Sequence, residues 1–278
     1  MKTMFDELSV QCSKLTTKKY STSFSLGILF LNKKIRNPIY AIYGLVRFAD
    51  EIVDSFHDYN KAHLLQQFKL ETFNAIKNKI SLNPILNAFQ QVVHQYQIEQ
   101  DLITSFFKSM EFDLVEQENS LHFYKEYIYG SAEVVGLMCL HVFTNGNKEQ
   151  FESLKPYAMK LGAAFQKVNF LRDIKTDYES LHRTYFPNID INHLNSEQKK
   201  QIENDIEQDF TEALIGIKML PKYSIKGVYL AYYYYYVLFK KIKKMPYQTL
   251  FQERVRISNS QKFCLLLKSN IKLHFNLF

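Results

Sequence analysis

Tyr40-Ala41-Ile42-Tyr43-Gly44-Leu45-Val46-Arg47-Phe48-Ala49-Asp50-Glu51-Ile52-Val53-Asp54 decides the fold. Ala41, Ile42, Leu45, Val46, Phe48, Ala49, Ile52 and Val53 wrap most of a helical circumference, and a helix apolar nearly all round is a buried one. Tyr40, Tyr43, Arg47, Asp50 and Asp54 recur at steps of three and four, which places them in one stripe. Arg47, Asp50 and Asp54 are therefore charges on a helix with little surface to give to water. Buried charges need partners or a ligand.

Residues further along repeat the device. Gln166, Asn169, Asp173 and Asp177 share a stripe on a helix whose remaining positions include Leu161, Ala163, Ala164, Phe165, Val168, Phe170, Leu171 and Ile174. One pair of carboxylates a turn apart is common on exposed helices. Two such pairs, each on an apolar helix and each beside an arginine (Arg47, Arg172), say more. Four carboxylates facing one another across a bundle repel strongly unless cations neutralise them. Oxygen ligands without His or Cys point to Mg²⁺ rather than zinc. Mg²⁺ typically takes one or two carboxylates and completes its shell with water and substrate phosphates. The spacing thus predicts a helical bundle with a magnesium–diphosphate site above an apolar, aromatic-lined pocket. A di-iron bundle wants Glu-x-x-His pairs, which do not occur at the matching positions.

The rest of the chain agrees with an all-α architecture. Eight Gly and six Pro in 278 residues leave few breaks for a sheet-and-turn protein. Helices are expected near 5–15, 20–31, 38–56, 61–80, 84–95, 99–116, 121–144, 148–177, 196–219, 226–244 and 258–273. Pro38 after Asn37 and Pro84 after Asn83 have the form of an N-cap followed by a first-turn proline. Tyr178 to Leu194 reads as a loop of functional length. No linker, repeat or composition break divides residues 1–278, which predicts one domain around a central cavity.

Composition narrows the functional classes. The net charge of +7 suits an anionic substrate, a membrane surface or nucleic acid. No zinc-finger spacing or RNP-like strand is present, so nucleic acid is not expected. Cys12, Cys139 and Cys264 form neither a disulfide framework nor a CxxC site, which fits a reducing cytosol. Asp6 and Glu7 precede any apolar run, unlike a signal peptide. The uncharged run Gly227 to Phe239 is too short to span a bilayer comfortably. The expectation is a cytoplasmic protein, at most peripheral to the inner face of the membrane. Lys240, Lys241, Lys243 and Lys244 suit either anionic lipid heads or a solvated face. The run Tyr232 to Tyr236 is read as packing, because consecutive helical residues face different ways. Asp113 is read as either a polar group of the cavity or an exposed acidic turn. No oligomeric state follows from these features.

At the two charged helices the sequence resembles the squalene/phytoene synthase family, the head-to-head isoprenyl diphosphate synthases. The first signature is Arg47 followed by Asp50-Glu51-Ile52-Val53-Asp54. The second runs from Leu161 through Gln166, Asn169, Leu171-Arg172-Asp173 and Asp177 to Arg183-Thr184-Tyr185-Phe186-Pro187. Tyr20-Ser21-Thr22-Ser23-Phe24-Ser25 resembles the family's substrate flap, and Tyr127 to Val142 its Tyr-rich helix with a central Gly. Leu238 to Lys262, with Arg254, Arg256 and Lys262, resembles the closing region of the phytoene synthases. Departures are Tyr20, where many members have His; Thr176, in place of an acidic residue; and His182, in place of a Gly.

The resemblance implies an isoprenoid-synthase bundle and a two-step reaction. Two geranylgeranyl diphosphates would condense through a cyclopropyl diphosphate intermediate to phytoene, in carotenoid biosynthesis. It implies Mg²⁺ (or Mn²⁺) on Asp50, Asp54, Asp173 and Asp177, those carboxylates and Tyr127 as the catalytic set, and no use of NADPH. It implies substrate contacts from Ser21, Ser23, Phe24, Tyr43, Arg47, Gln166, Asn169, Arg172, Arg183 and Tyr185. The alternatives are squalene or dehydrosqualene formation from farnesyl diphosphate, and a non-catalytic relative serving as an assembly partner. A head-to-tail prenyltransferase or terpene cyclase would show a tighter Asp-Asp-x-x-Asp than Asp50-Glu51-Ile52-Val53-Asp54.

Overall fold

A computed structural model describes residues 2–115, 120–181, 185–187, 194–252, 254–275 and 278, with side chains except those at 176–181, 259 and 274. The described residues form helices joined by short connections and contain no strand. In chain order the α-helices are α1 (Lys2–Tyr20), α2 (Thr22–Leu29), α3 (Lys33–Ser55), α4 (Lys61–Asn78), α5 (Pro84–Tyr96) and α6 (Gln100–Phe112). They continue with α7 (Leu121–Ile128), α8 (Val134–Thr144), α9 (Lys148–Leu181), α10 (Ser196–Met219), α11 (Lys222–Lys243) and α12 (Asn259–His274). The all-α expectation is met.

Local chemistry explains most boundaries. Asn83 Oδ1 accepts from the backbone N–H of Ile85 and Pro84 opens α5, as its sequence suggests. Pro38 is different. The helix begins at Lys33, because Asn32 caps it by accepting from the Lys34 N–H at 3.0 Å, and Pro38 lies inside. The Asn32 N–H is itself held by the Tyr223 carbonyl at 2.9 Å, which anchors the earlier start. Pro38, the sixth residue of α3, has no N–H to offer the Lys34 carbonyl, and the helix continues through it with that one backbone bond missing. Helix α9 also outlasts its expected end at 177 and runs to Leu181, so the loop expected from Tyr178 begins later; most of it lies outside the described residues.

The single helix expected over 121–144 contains a π-helical turn, Tyr129–Glu133, between α7 and α8. Gly130 sits there against α6, where an added Cβ would lie 2.5 Å from the Ser105 carbonyl oxygen. The widened turn fits a point where backbones nearly touch. By length and composition Leu121–Thr144 could cross a membrane, but more than half of it is buried within the fold. That is the pattern of a core helix.

Helices α3, α5, α6 and α8 share one apolar cluster, and α9, α10 and α11 share a second. An ionic cluster also ties α9 to α10. Lys167 Nζ reaches Asp205 at 2.5 Å and Asp209 at 2.6 Å, and Lys160 Nζ reaches Asp209 at 2.9 Å. Asp209 is 2% exposed, so removing both lysines would strand a buried charge. Beside this cluster, burial first and Asp209 second push the Glu133 carboxyl up to about 7.

Helices α2 and α11 cross so closely that a Cβ on Gly227 would lie 2.5 Å from the Gly27 carbonyl oxygen and from Leu31 Cδ2. Gly227→Ala is therefore expected to destabilise the protein by about 1–3 kcal/mol. Calorimetry should show a lowered melting temperature, and an unchanged one would mean that the two helices part freely.

Candidate active site

The two charged stripes meet. Asp50 and Asp54 of α3 and Asp173 of α9 line one cavity of about 520 Å³, with Asp113 from the turn after α6. Periodicity explains the arrangement: Asp173, Asn169, Gln166, Gly162, Ala158 and Leu154 follow one another at steps of three and four along the cavity wall. From Asp173 to Leu154 that row covers roughly 28 Å at 1.5 Å per residue. The acidic residues stand at one end, and Leu140, Phe143, Leu154, Tyr157 and Leu220 line the remainder with Gly and Ala between them. Helix α9 also presses its Gly162 onto the π turn, where a Cβ would lie 2.7 Å from the Ala132 carbonyl oxygen.

Most of the expected residues share this wall. Phe24, Tyr43, Arg47, Tyr127, Gln166, Asn169, Arg172 and Tyr185 line it with the three carboxylates. Asp177 lies on α9 with its side chain outside the described set, and Arg183 is outside it altogether, as are the side chains of Thr176 and His182. Ser21 and Ser23 are not in the described cavity wall. Ser21 instead caps α2, its Oγ accepting from the Phe24 N–H at 3.1 Å. That cap fixes Phe24, whose ring stands 5.8 Å from those of both Tyr43 and Tyr235.

Electrostatics divide the carboxylates into two kinds. Burial first, and then repulsion from Asp54 and Asp113, push the Asp50 carboxyl up to about 7 against the opposing pull of Arg47. Arg47 is turned toward Glu51 as an ion pair and stacks over the Tyr20 ring at 4.3 Å. Its buried Nε has no acceptor. Tyr20 thus presents its ring face to a cation. Asp173 is clamped: Arg172 Nε donates to it at 3.0 Å, and Arg254 Nε lies 2.6 Å from Oδ1. Burial also pushes the Tyr43 hydroxyl up to about 12.

Three contributors exceed the expected set. Asp113 accepts from the Tyr127 hydroxyl at 3.0 Å on each oxygen, so of its two readings the cavity one holds. Its signal was faint, since Glu111 stands beside it and no motif surrounds it. Arg254 reaches Asp173 from 81 residues away, a partnership no periodicity reveals. Tyr235, one of the run read as packing, stacks on Phe165 at 4.1 Å and donates to Asn169 Oδ1 at 3.3 Å. Phe170 stacks likewise on Tyr185 at 4.0 Å.

The donors fit a hydrated divalent cation that shares its shell with diphosphate. Among the described residues no three Asp, Glu, His or Cys side chains cluster tightly enough to hold a metal alone. Yet the Asp50 carboxyl is crowded by like charges, and the Arg47 Nε is buried without an acceptor. A cation would relieve the first, and a diphosphate oxygen would satisfy the second.

Comparison with known proteins agrees. The chain is 29% identical to "4,4'-diapophytoene synthase" of Staphylococcus haemolyticus across 68% of its length and 65% of the relative's. It is 24% identical to "Phytoene synthase 1, chloroplastic" of Solanum lycopersicum across 95% of its length and 68% of the relative's. A crystal structure of a dehydrosqualene synthase in complex with ligand shares the fold at a TM-score of 0.84, with 22% identity over 97% of this chain and 98% of that one. Squalene synthase HpnC from Alicyclobacillus acidocaldarius shares it at 0.74, with 17% identity over 85% and 93%. The sequence model of the Squalene/phytoene synthase family matches residues 17–261, a span holding every carboxylate and arginine of the cavity wall, and the chain belongs to that family of prenyltransferases.

Proposed function

We propose that the chain condenses two geranylgeranyl diphosphates head to head into phytoene, with Mg²⁺ (or Mn²⁺) as cofactor and no NADPH. The observation that carries this reading is the cavity itself, with carboxylates and arginines at one end of a wall that runs roughly 28 Å from Asp173 to Leu154 and is apolar beyond Gln166. Asp50, Asp54, Asp173 and Asp177 are the residues that would hold Mg²⁺, whose chemistry is that of a Lewis acid neutralising diphosphate charge. Arg47, Arg172 and Arg183 match diphosphate oxygens, because guanidinium donates in a planar fork. Arg254 takes the same role from the far side of Asp173. The Tyr127 hydroxyl fixes the Asp113 carboxylate, which leaves the Tyr127 ring to face the cavity beside Tyr185, 5.1 Å away. Phe24, Phe165 and Tyr235 keep water from allylic cations and offer them aromatic faces.

The C20 reading rests on two features. The phytoene synthase match extends over 95% of the chain, and small residues such as Ala132, Ala158, Ala213 and Ala231 line the cavity beyond its polar end. The second reading is a C15 substrate, favoured by the names "4,4'-diapophytoene synthase" and "dehydrosqualene synthase" among the proteins it is similar to. Purified protein should be incubated with C15 or C20 diphosphate and the hydrocarbon identified by mass spectrometry. The expected product is phytoene from the C20 substrate, abolished by EDTA, restored by Mg²⁺ and unchanged by NADPH. Hydrocarbon from the C15 substrate alone would install the second reading. A reduced central bond with NADPH would remove the phytoene one, and no hydrocarbon from either would point to an assembly partner.

A further inference from the structure

Arg47 is a fork used on one prong. Its Nη2 pairs with Glu51, four residues along α3, while the Nε on the same edge of the guanidinium is buried and finds no acceptor among the described residues. Arg172 shows the same edge fully engaged. Its Nε donates to Asp173 Oδ1 at 3.0 Å and its Nη2 to Oδ2, so one carboxylate satisfies both donors. A buried donor left without a partner costs free energy that an acceptor with two oxygens would recover. The Tyr20 ring supports the Arg47 guanidinium on its flat face at 4.3 Å and leaves the edge to be contested.

Two anions have a claim on that edge. Arg47 lines the cavity beside Asp50, whereas Glu51 stands outside the described cavity wall, so the ion pair ties Nη2 to a group away from the substrate space. The Arg47 and Glu51 side chains are 24% and 21% exposed, which leaves water within reach of the contact. An ion pair of this kind, held by one donor and partly hydrated, is weak enough to exchange for a better acceptor.

We propose that Glu51 is a placeholder for diphosphate: it holds Arg47 in the empty site, yields it to the two oxygens of a substrate diphosphate, and takes it back as inorganic diphosphate leaves. The inference rests on the proposed function for the identity of the anion. A bare arginine would grip product diphosphate as well as substrate, and binding both alike lowers KM without raising kcat. A resident carboxylate lowers the affinity for both and speeds departure. Glu51 is thus a positioning residue that acts through Arg47.

Calorimetry with inorganic diphosphate and Mg²⁺ tests this without turnover. Glu51→Gln keeps the shape of the side chain and removes its charge. It should bind inorganic diphosphate roughly fivefold tighter than wild type, the scale of one partly exposed ion pair. Glu51→Ala should gain at least as much, since glutamine still offers Nη2 an oxygen, and both should keep the wild-type circular dichroism spectrum. In assays the KM for the isoprenyl diphosphate and the inhibition constant of inorganic diphosphate should fall together, with kcat no higher. Loss of any negative charge near an anion site aids binding somewhat, so a double-mutant cycle decides. In an Arg47→Gln background, Glu51→Gln should leave the dissociation constant unchanged, because the effect passes through the arginine. Equal binding by wild type and both Glu51 variants would overturn the inference and leave the diphosphate site standing, as would a gain that persists without Arg47. Wild-type protein that binds no diphosphate with Mg²⁺ would remove both.

Discussion

The Asp50→Asn protein is expected to lose turnover by a factor on the order of 10³ while its metal-free form melts above wild type at pH 8. Both effects come from one carboxylate in a crowded place. Asp50 is surrounded by protein, repelled by Asp54 and Asp113, and raised from an ordinary 3.8 to about 7. Between those values the folded chain holds a proton at Asp50 that the unfolded chain releases, so this group's contribution to stability falls as pH rises through the window. Above pH 7 the whole penalty is present, on the order of 2 kcal/mol once water in the cavity is allowed for. Asn fills the same space without the charge and removes the penalty. The two melting temperatures should therefore converge below pH 4 and separate as pH rises. Mg²⁺ with inorganic diphosphate should reverse the order at pH 8, because wild type gains a bound cation that the variant holds poorly. Equal melting at pH 8, or retained turnover, would show that Asp50 is neither strained nor used.

Ala158→Phe should redirect the enzyme by chain length. Ala158 stands on α9 fifteen residues before Asp173, roughly 22 Å down the wall at 1.5 Å per residue. It lines the cavity together with Gly136, Leu154 and Leu161, and a phenyl ring at this position would take up space that the alanine leaves open. A C20 chain carries one more isoprene unit than a C15 chain and needs that depth. Turnover of the C20 substrate should fall at least about tenfold, the usual scale for added bulk in an apolar pocket. The C15 substrate should be far less affected. Overpacking should lower stability by about 1–3 kcal/mol, read as a melting shift, which separates a blocked cavity from a collapsed one. Unchanged turnover of both substrates would mean that neither chain reaches Ala158, and equal losses on both would mean that this position does not select chain length.

Helical structure and the identity of the facing helices were legible in the chain because both depend on local spacing. A stripe of Asp50, Asp54 and Arg47 on an otherwise apolar helix constrains where that helix lies, and Asp173, Asn169 and Gln166 repeat the constraint. Capping was half legible: Asn83-Pro84 opens α5 as it reads, whereas Asn37-Pro38 does not open α3, because the Asn32 cap, its N–H bonded to the Tyr223 carbonyl, starts it earlier. The capping role of Ser21 was not legible beside its expected substrate contact, since a hydroxyl in a sequence does not reveal which donors it will meet. The partners of Asp173 and Tyr127 belong to the tertiary structure. Arg254 and Asp113 approach them across long stretches of chain, and such meetings are set by how helices cross rather than by any period along them. The outward face of α12 shows the same division. Its row of Phe263, Leu267 and Ile271 is plain in the sequence as a helical face, and only packing decides that Leu265 and Ser269 turn inward while that row is left to the outside.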